Sequence, residues 1–473
     1  MNKNVFFAIF FTTFAYLACN DEFILTDSSA KPEFSTDTVL FDTVFTDIGS
    51  YTLLFKVYNR ENGSINISEI SLAGGNNSQF RLNIDGFPGN DLKDKLLHSG
   101  DSLFIFAEVT VNPKDSESPF VVEDSIKFVT NGNTQFVQLR AWGQDVTLIN
   151  GEIIQSAIWK KGKPYLVYNS MRIATGETLE MQAGTKVYFH DKSQLQVFGT
   201  LKTLGTLEEP VLLTSDKIDA MYKEAPGKWY GIIIVPESSG NELHNTVISN
   251  GTFGIQIGDL ETPLLPDLTM HNVEIKNMSV AGIWANKANI KAYNAIVANC
   301  GISGIWIAAG GNYEFAHLTL VNYWRYTTRS KPSLVLSNST DYNGTKYTSP
   351  LVAKFYNSVI NGSSENEIGF SQFEATPFTA LFESCAIKGN KELNILDETI
   401  FKSCFKSFDA KFNATDKNDY RILETSELKD KGNMEVVNQF LQLLTYDFKG
   451  ISRVVDQKPD IGAHEYVEIK KEK

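Results

Sequence analysis

The sequence predicts an all-β chain in two parts, a β-sandwich followed by a coil of parallel strands, and three observations predict it. The first is a phrase that returns: Asn245-Thr-Val-Ile-Ser-Asn250, Asn272-Val-Glu-Ile-Lys-Asn277, Asn294-Ala-Ile-Val-Ala-Asn299 and His317-Leu-Thr-Leu-Val-Asn322, at spacings of 27, 22 and 23 residues. A short strand recurring at such an interval marks a solenoid. The second is a set of alternating strands before residue 146 that lacks this spacing, and the third is a distinct closing segment after residue 418.

Each repeat carries a second phrase: Gly254-Ile-Gln-Ile257, Gly282-Ile-Trp-Ala285, Gly304-Ile-Trp-Ile307. Alternate residues of a strand share a face, so Ile255/Ile257, Ile283/Ala285 and Ile305/Ile307 should point inward. Val273/Ile275, Ala295/Val297 and Leu318/Leu320 should do so on a second strand. Leu268/Met270, Ile290/Ala292 and Tyr313/Phe315 do so on a third. Three short strands per turn describe a right-handed parallel β-helix with rungs about 4.8 Å apart. The phrase continues more loosely at Asn357-Ser-Val-Ile-Asn-Gly362 and Ser384-Cys-Ala-Ile-Lys-Gly389. Upstream, Leu179/Met181, Val187/Phe189 and Leu195/Val197 recur every eight residues between glycine turns, which sets the coil at residues 147–418. The asparagines are expected to stack as amides at one corner.

Residues 34–146 alternate in shorter strands, clearest at 53–59, 65–72, 103–111, 125–129 and 135–139, with turn signals at Asn62-Gly63, Gly74-Gly75, Ser99-Gly100 and Asn131-Gly132. Some seven strands in about 110 residues suit an immunoglobulin-like sandwich. Asp37-Thr-Val39, Asp42-Thr-Val44, Asp101-Ser-Leu103 and Asp124-Ser-Ile126 read either as turns feeding strands or as acceptors for O-glycosylation.

The N-terminus has the form of an export signal, residues 1–18: Lys3, an apolar run Val5–Leu17 too short to span a bilayer, and Leu17-Ala18 before Cys19. It resembles a bacterial lipobox, although Tyr16 stands where Leu is usual. The resemblance implies an acylated Cys19 as the membrane attachment and a tether over residues 19–33. Asp21-Glu22 reads as a surface-export tag or simply as polar linker.

The order Phe80-Arg-Leu, Gly100-Asp101-Ser, Val109-Thr-Val-Asn-Pro113, Thr130-Asn131 and Leu139…Gly143 resembles hydin-type immunoglobulin-like domains. The series Asp419-Tyr-Arg-Ile422, Asp430-Lys-Gly432, Asp447-Phe-Lys-Gly450, Arg453 and Pro459-Asp-Ile-Gly-Ala-His-Glu-Tyr466 resembles the choice-of-anchor Q terminus of bacterial surface β-helix proteins. That likeness implies a cap over residues 419–473, with Val436–Leu444 helical by its apolar spacing. As a whole the chain resembles Gram-negative surface lipoproteins of pectin-lyase-like fold. This implies an outer-membrane, lipid-anchored, surface-exposed location and no particular reaction.

The net charge of −13, or −14 once Lys3 leaves with the signal, argues against nucleic acid as a partner. Beyond Cys19 only Cys300, Cys385 and Cys404 remain. They lack metal-knuckle spacing, so no metal or other cofactor is expected; buried thiols and a Cys385–Cys404 bridge are both open. The paired-Asp hydrolases of this fold resemble an Asn-Thr-Asp phrase, whereas Asn245-Thr246 is followed by Val247. Asp259 and Glu261 are close in sequence without the rest of a calcium-lyase site, and His190, His244, His271 and His317 have no partner at ligand spacing.

Two features suit a ligand. Trp284 and Trp306, with Gln256 one rung earlier, should face outward as a flat strip for sugar rings. The excursion between Asn322 and Asn357 brings Tyr323, Trp324, Arg325, Tyr326, Arg329, Lys331, Tyr342 and Lys346 against Asp341 alone, which suits an anionic glycan. Tyr326, Arg325, Arg329 and Lys331 are the candidates for β-elimination roles if there is catalysis. The reading is a non-catalytic surface lipoprotein whose coil presents a face to a polysaccharide or an outer-membrane protein. A polysaccharide lyase or glycoside hydrolase is the alternative, and an adhesive protein the second.

Overall fold

The computed structural model describes residues 23–219 and 222–468; the expected signal, Cys19 and the Asp21-Glu22 pair lie outside them. The chain forms two compact units divided between Val146 and Thr147.

In the first unit two sheets enclose an apolar core that includes Phe41, Phe55, Phe80 and Phe128. One sheet orders Ile24–Leu25, Ser64–Leu72, Phe120–Thr130, Asn133–Gln144 and Thr38–Phe45, with Asp91–Leu97 added on Ser64–Leu72. The other orders Glu33–Phe34, Leu53–Tyr58, Ser102–Val109, Phe80–Ile84 and Phe87–Pro88. Asn131 (φ 50°) and Gly132 (φ 80°) make the tight turn that joins the two longest strands, since both positions need positive φ there. The expected tether of residues 19–33 needs correction at its C-terminal side. Ile24–Leu25 pairs with Ser64–Ile65, and Glu33–Phe34 pairs with Val57–Tyr58. Ala30 is buried, with its carbonyl bonded by the Asn131 amide. Two-residue strands are too short to show alternation, so the sequence pattern does not reveal them. Asp42, Asp101 and Asp124 each accept a hydrogen bond from the N–H of the following Thr or Ser, the local turn geometry of Asp-Ser/Thr pairs.

The second unit is a parallel β-helix running from Thr147–Asn150 to Phe401–Lys402. Early strands pair with the third strand after them, as Tyr165–Tyr168 with Lys186–Phe189, which is what three faces per rung require. The inward residues expected from alternation all lie in one continuous core, ending in a stack of Phe315, Phe355, Phe382 and Phe401 with ring centroids 4.7–5.3 Å apart. The glycine that opens the Gly-Ile-Gln or Gly-Ile-Trp phrase has a packing reason. A Cβ on Gly282 would sit 2.5 Å from Val297 Cγ1 and 2.7 Å from Gly304 O, and one on Gly254 2.4 Å from Ile275 Cγ2.

The Asn phrase marks two corners. At the first, Asn245, Asn272, Asn294, His317, Asn357, Ser384 and Ser403 all have φ between 45° and 54°. At the second, Asn250, Asn277 and Asn299 have φ between 52° and 67°. Asn tolerates this left-handed conformation better than other side chains, so backbone geometry selects it at least as much as amide stacking does. Amide-to-amide bonds are present, Asn272 to Asn245 at 3.1 Å and Asn277 to Asn250 at 3.4 Å. Asn294, His317 and Asn357 at the first corner also bond the C-terminal segment.

That segment covers the coil along its flank, while the last rung is covered by residues 388–400, whose Leu393, Ile395 and Ile400 pack on the core. The coil's strands end at Lys402 and its ladder at the bridge of Ala386 with Phe405, and Phe412–Ala414 already pairs with Asp419–Ile422, so residues 406–418 belong with the closing segment and not with the coil. Helices Met434–Gln439 and Leu441–Leu444 lie on Tyr293, Ala316 and Tyr356, and Tyr420 and Ala463 cover the outward side of Ile296, Ala298 and Val321. Hydrogen bonds tie the segment to His271 (Leu443 O, 2.8 Å), Asn294 (Tyr446 O, 2.9 Å), His317 (Gly462 O, 3.0 Å) and Asn357 (Asn433 O, 2.9 Å). It therefore crosses several rungs.

Candidate functional site

Gln256, Trp284 and Trp306 are in register on the outward side of one face, as alternation predicts. Their rings do not form a platform. Trp284 and Trp306 stack on each other with centroids 5.5 Å apart and planes 18° apart, and Phe253 stacks on the other face of Trp284 at 5.2 Å. The ammonium of Lys331 sits 4.8 Å from the Trp306 ring centre. Phe253, the two indoles and Lys331 form one column along the coil axis, and sugar stacking needs the ring faces that this column uses. The register of adjacent rungs is the cause: identical outward aromatics about 4.8 Å apart turn face to face. The expected sugar strip is corrected to a stabilising column.

The excursion after Asn322 divides. Tyr342 and Lys346 belong to a separate hairpin, Ser339–Tyr342 with Thr345–Thr348, where Lys346 pairs with Asp341 at 3.1 Å. Arg329 is not an open fork. Its side chain is 3 % exposed and paired with the fully buried Glu367 at 2.5 Å, with further bonds to Ser364 Oγ and Lys331 O. Glu367 also accepts from the N–H and hydroxyl of Ser333. A buried guanidinium paired in this way holds the loop and has no face for a ligand. The sequence could not pair Arg329 with Glu367, 38 residues away on the next rung.

Tyr323, Trp324, Arg325 and Tyr326 remain together and line a cleft of about 440 Å³ at the second corner. Glu224, Asn277, Asn299 and residues 415–418 form the rest of its wall. Asn277 donates to Glu224 Oε2 at 2.6 Å; Asn299 donates to Asn418 Oδ1 at 2.5 Å and to Tyr420 Oη at 3.1 Å. Tyr323 N–H bonds Asn299 Oδ1 at 3.1 Å, and the Tyr326 hydroxyl reaches Glu224 O at 3.5 Å. Trp324 is pinned by its indole N–H on Thr327 Oγ1 at 2.9 Å, and its ring meets that of Tyr326 at 4.9 Å, tilted by 57°. Tyr326 is half exposed and Arg325 exposed. Burial raises the Tyr323 hydroxyl pKa to about 12, so it stays a donor. The cleft combines three aromatic rings, three side-chain amides, Glu224, Asp416, Arg325 and Lys417, and so carries both signs of charge. Of the four residues considered for β-elimination, Arg325 and Tyr326 line it, while Arg329 and Lys331 are engaged as above. Glu224, Asp416 and Asn418 were not picked out from the sequence; Asn418 bears the left-handed signature (φ 58°) but in a segment without repeat spacing.

Asp259 accepts from the N–H groups of Glu261 and Thr262, a local turn, and among the described residues no cluster of His, Cys, Asp or Glu could hold a metal. His190 does have a partner, Asp216 Oδ2 at 2.6 Å, and stacks on Tyr168 at 4.0 Å. His317 bridges Gly462 O and the Asn357 amide N–H, each at 3.0 Å, so it is neutral with its proton on Nδ1; burial keeps its pKa well below the usual value. Nearby, Arg453 is fully buried against Glu465 (2.8 Å) and Asn294 Oδ1 (2.9 Å). Burial drives Glu465 up to about 8 and His464 down to about 3. This cluster fastens the closing segment.

The coil is a right-handed β-helix, and residues 212–324, which hold the Asn corners from Asn245 to Asn299 and both indoles of the Trp column, match the sequence model of a right-handed β-helix region. No curated protein matches the sequence. Likeness to solved structures is low and partial. The catalytic unit of a GH87 α-1,3-glucanase from Streptomyces thermodiastaticus is 9 % identical over 71 % of this chain and 62 % of its own, with a TM-score of 0.20. A PapD-like domain of human CEP192 is 10 % identical over 27 % of this chain and 94 % of its own, with a TM-score of 0.18. A family 123 glycoside hydrolase from Clostridium perfringens is 6 % identical over 27 % of this chain and 30 % of its own, also at 0.18. The chain thus spans less than two thirds of either hydrolase, and at such scores the likeness says nothing of activity.

Proposed function

We propose that this is a lipid-anchored surface protein that binds a glycan in the cleft at the second corner of its β-helix, without chemistry of its own. The observation that carries the reading is the cleft's composition: exposed Tyr326 and half-buried Trp324 stand across from the amides of Asn277, Asn299 and Asn418 and the carboxylate of Glu224. Rings offer apolar stacking to the C–H faces of a sugar, and amides and carboxylates take its hydroxyls. A volume of about 440 Å³ lies within the range of small-ligand sites. With Arg329 neutralised by Glu367, and Glu224 and Asp416 balancing Arg325 and Lys417 in the wall, the cleft suits a hydroxyl-rich neutral glycan better than the anionic one expected from the basic residues alone.

The rest of the reading follows the sequence. Acylated Cys19 attaches the chain to the outer membrane, an immunoglobulin-like sandwich serves as spacer, and the choice-of-anchor-type terminus buttresses the coil. The test is retention of the protein on immobilised neutral and acidic polysaccharides. Retention on a neutral member, lost in Tyr326→Ala and Trp324→Ala but kept in Trp284→Ala, supports the cleft. Retention on none of them overturns the glycan reading and turns attention to an outer-membrane protein partner.

A further inference from the structure

We propose that Cys385 and Cys404 are a disulfide site that staples the last two rungs of the coil together. Both residues occupy the same place in successive rungs. Phe382 pairs with Phe401 and Glu383 with Lys402, and the register resumes with Ala386 beside Phe405. Each cysteine follows a left-handed serine at the first corner, Ser384 (φ 53°) and Ser403 (φ 52°). Equivalent residues on neighbouring rungs have Cα atoms about 4.8 Å apart, inside the window of about 4.4–6.8 Å that a disulfide spans. The two groups already touch: the Cys385 N–H donates to Cys404 Sγ at 3.4 Å. The span they would close, residues 386–403, contains the cover of the coil's end and two strands of only two residues, Ala386–Ile387 and Phe401–Lys402. Strands this short give the last rung little hydrogen bonding of its own, so a covalent tie has much to hold there.

The pair is asymmetric in a way that gives each sulfur a role. Cys404 is half-buried, and the hydrogen bonds it receives from the Cys385 thiol and N–H lower its pKa, whereas full burial raises that of Cys385. With a small disulfide as oxidant, such as glutathione disulfide, the Cys404 thiolate attacks one oxidant sulfur and expels the other as a thiolate. Cys385 then loses its proton to solvent and attacks Cys404 Sγ, forming the protein disulfide and releasing the second thiolate. Two protein thiols are oxidised and one external disulfide is reduced to two thiols.

The experiment incubates the full chain with glutathione disulfide, blocks free thiols, and maps tryptic peptides without reduction. The expected product joins peptide 355–388 to peptide 403–406 with loss of two hydrogens, while buried Cys300 stays unmodified until the protein is denatured. Cys385→Ser should instead retain glutathione on Cys404. Opening of the last rung, read by amide exchange over residues 386–403, should slow roughly a hundredfold on oxidation, the loop-closure effect for a loop of this size. Recovery of both peptides as blocked free thiols, or of lasting glutathione on wild-type Cys404, would overturn the proposal.

Discussion

Two aromatic groups stand on the same coil, and their uses are opposite. Trp284 and Trp306 sit in the middle of regular strands, so the rung repeat places one above the other and their faces are spent on each other, on Phe253 and on Lys331. Trp324 and Tyr326 sit in an excursion that breaks the repeat, tilted by 57°, and nothing in the register obliges their faces to meet another ring in parallel. An aromatic residue on a solenoid is therefore available to a ligand when it lies off the ladder. On the ladder it serves the fold.

The comparison breaks most severely at Arg329, which holds the loop carrying both Trp324 and Lys331. Arg329→Met leaves Glu367 charged and buried, and should cost about 3–5 kcal/mol in denaturant unfolding while damaging column and cleft together. Next, Trp284→Ala should cost about 3 kcal/mol, the lower end for removing a large aromatic, because the indole is only half-buried. Polysaccharide retention should be unchanged, and its loss would show that the column does bind sugar.

A smaller effect separates the two regions by pH. His317 and His464 are held neutral, with folded pKa values below the unfolded one. Their stabilisation is present above about pH 6.5 and is lost as pH falls, by at most about 1.4 kcal/mol per pH unit for each. Glu465, raised to about 8, acts in the opposite sense: its share is full below about 4.5 and lost as pH rises toward 8. The difference between wild type and His317→Asn isolates the histidine, and this difference should shrink as pH falls below 6.5. Amide exchange should accelerate first over residues 415–423, which include the cleft wall, and later over the column at 281–307. Smallest in stability is Tyr326→Ala, expected to lie within about 0.5 kcal/mol of wild type. It should nevertheless weaken glycan retention about tenfold, as loss of an aromatic anchor does.

The coil was legible because its signals are local and repeated. Inward pairs such as Ile283/Ala285 and Ile305/Ile307 fall out of strand alternation, and the left-handed corners choose Asn. The cleft was half legible. Trp324, Arg325 and Tyr326 stand out as a run, but Glu224, Asp416 and Asn418 reach the same cavity from loops 100 residues to one side and 90 to the other. Arg329 shows the same limit from the other direction, since its charge is visible in the sequence and its partner Glu367 is not. The Trp strip failed for a different reason: outwardness follows from alternation, but the orientation of a ring follows from what the next rung places beside it.

The closing segment has one more consequence. In a bare solenoid, rungs are interchangeable units, and a sequence can gain or lose one by duplication or deletion with little harm. Here a chain of fixed length is pinned first to Asn357 and then to His271, Asn294 and His317. It works as a ruler: adding a rung between 271 and 357 would move every later anchor off its mark. Residues 147–204 lie before all of these anchors, and that stretch is where related coils should vary in length.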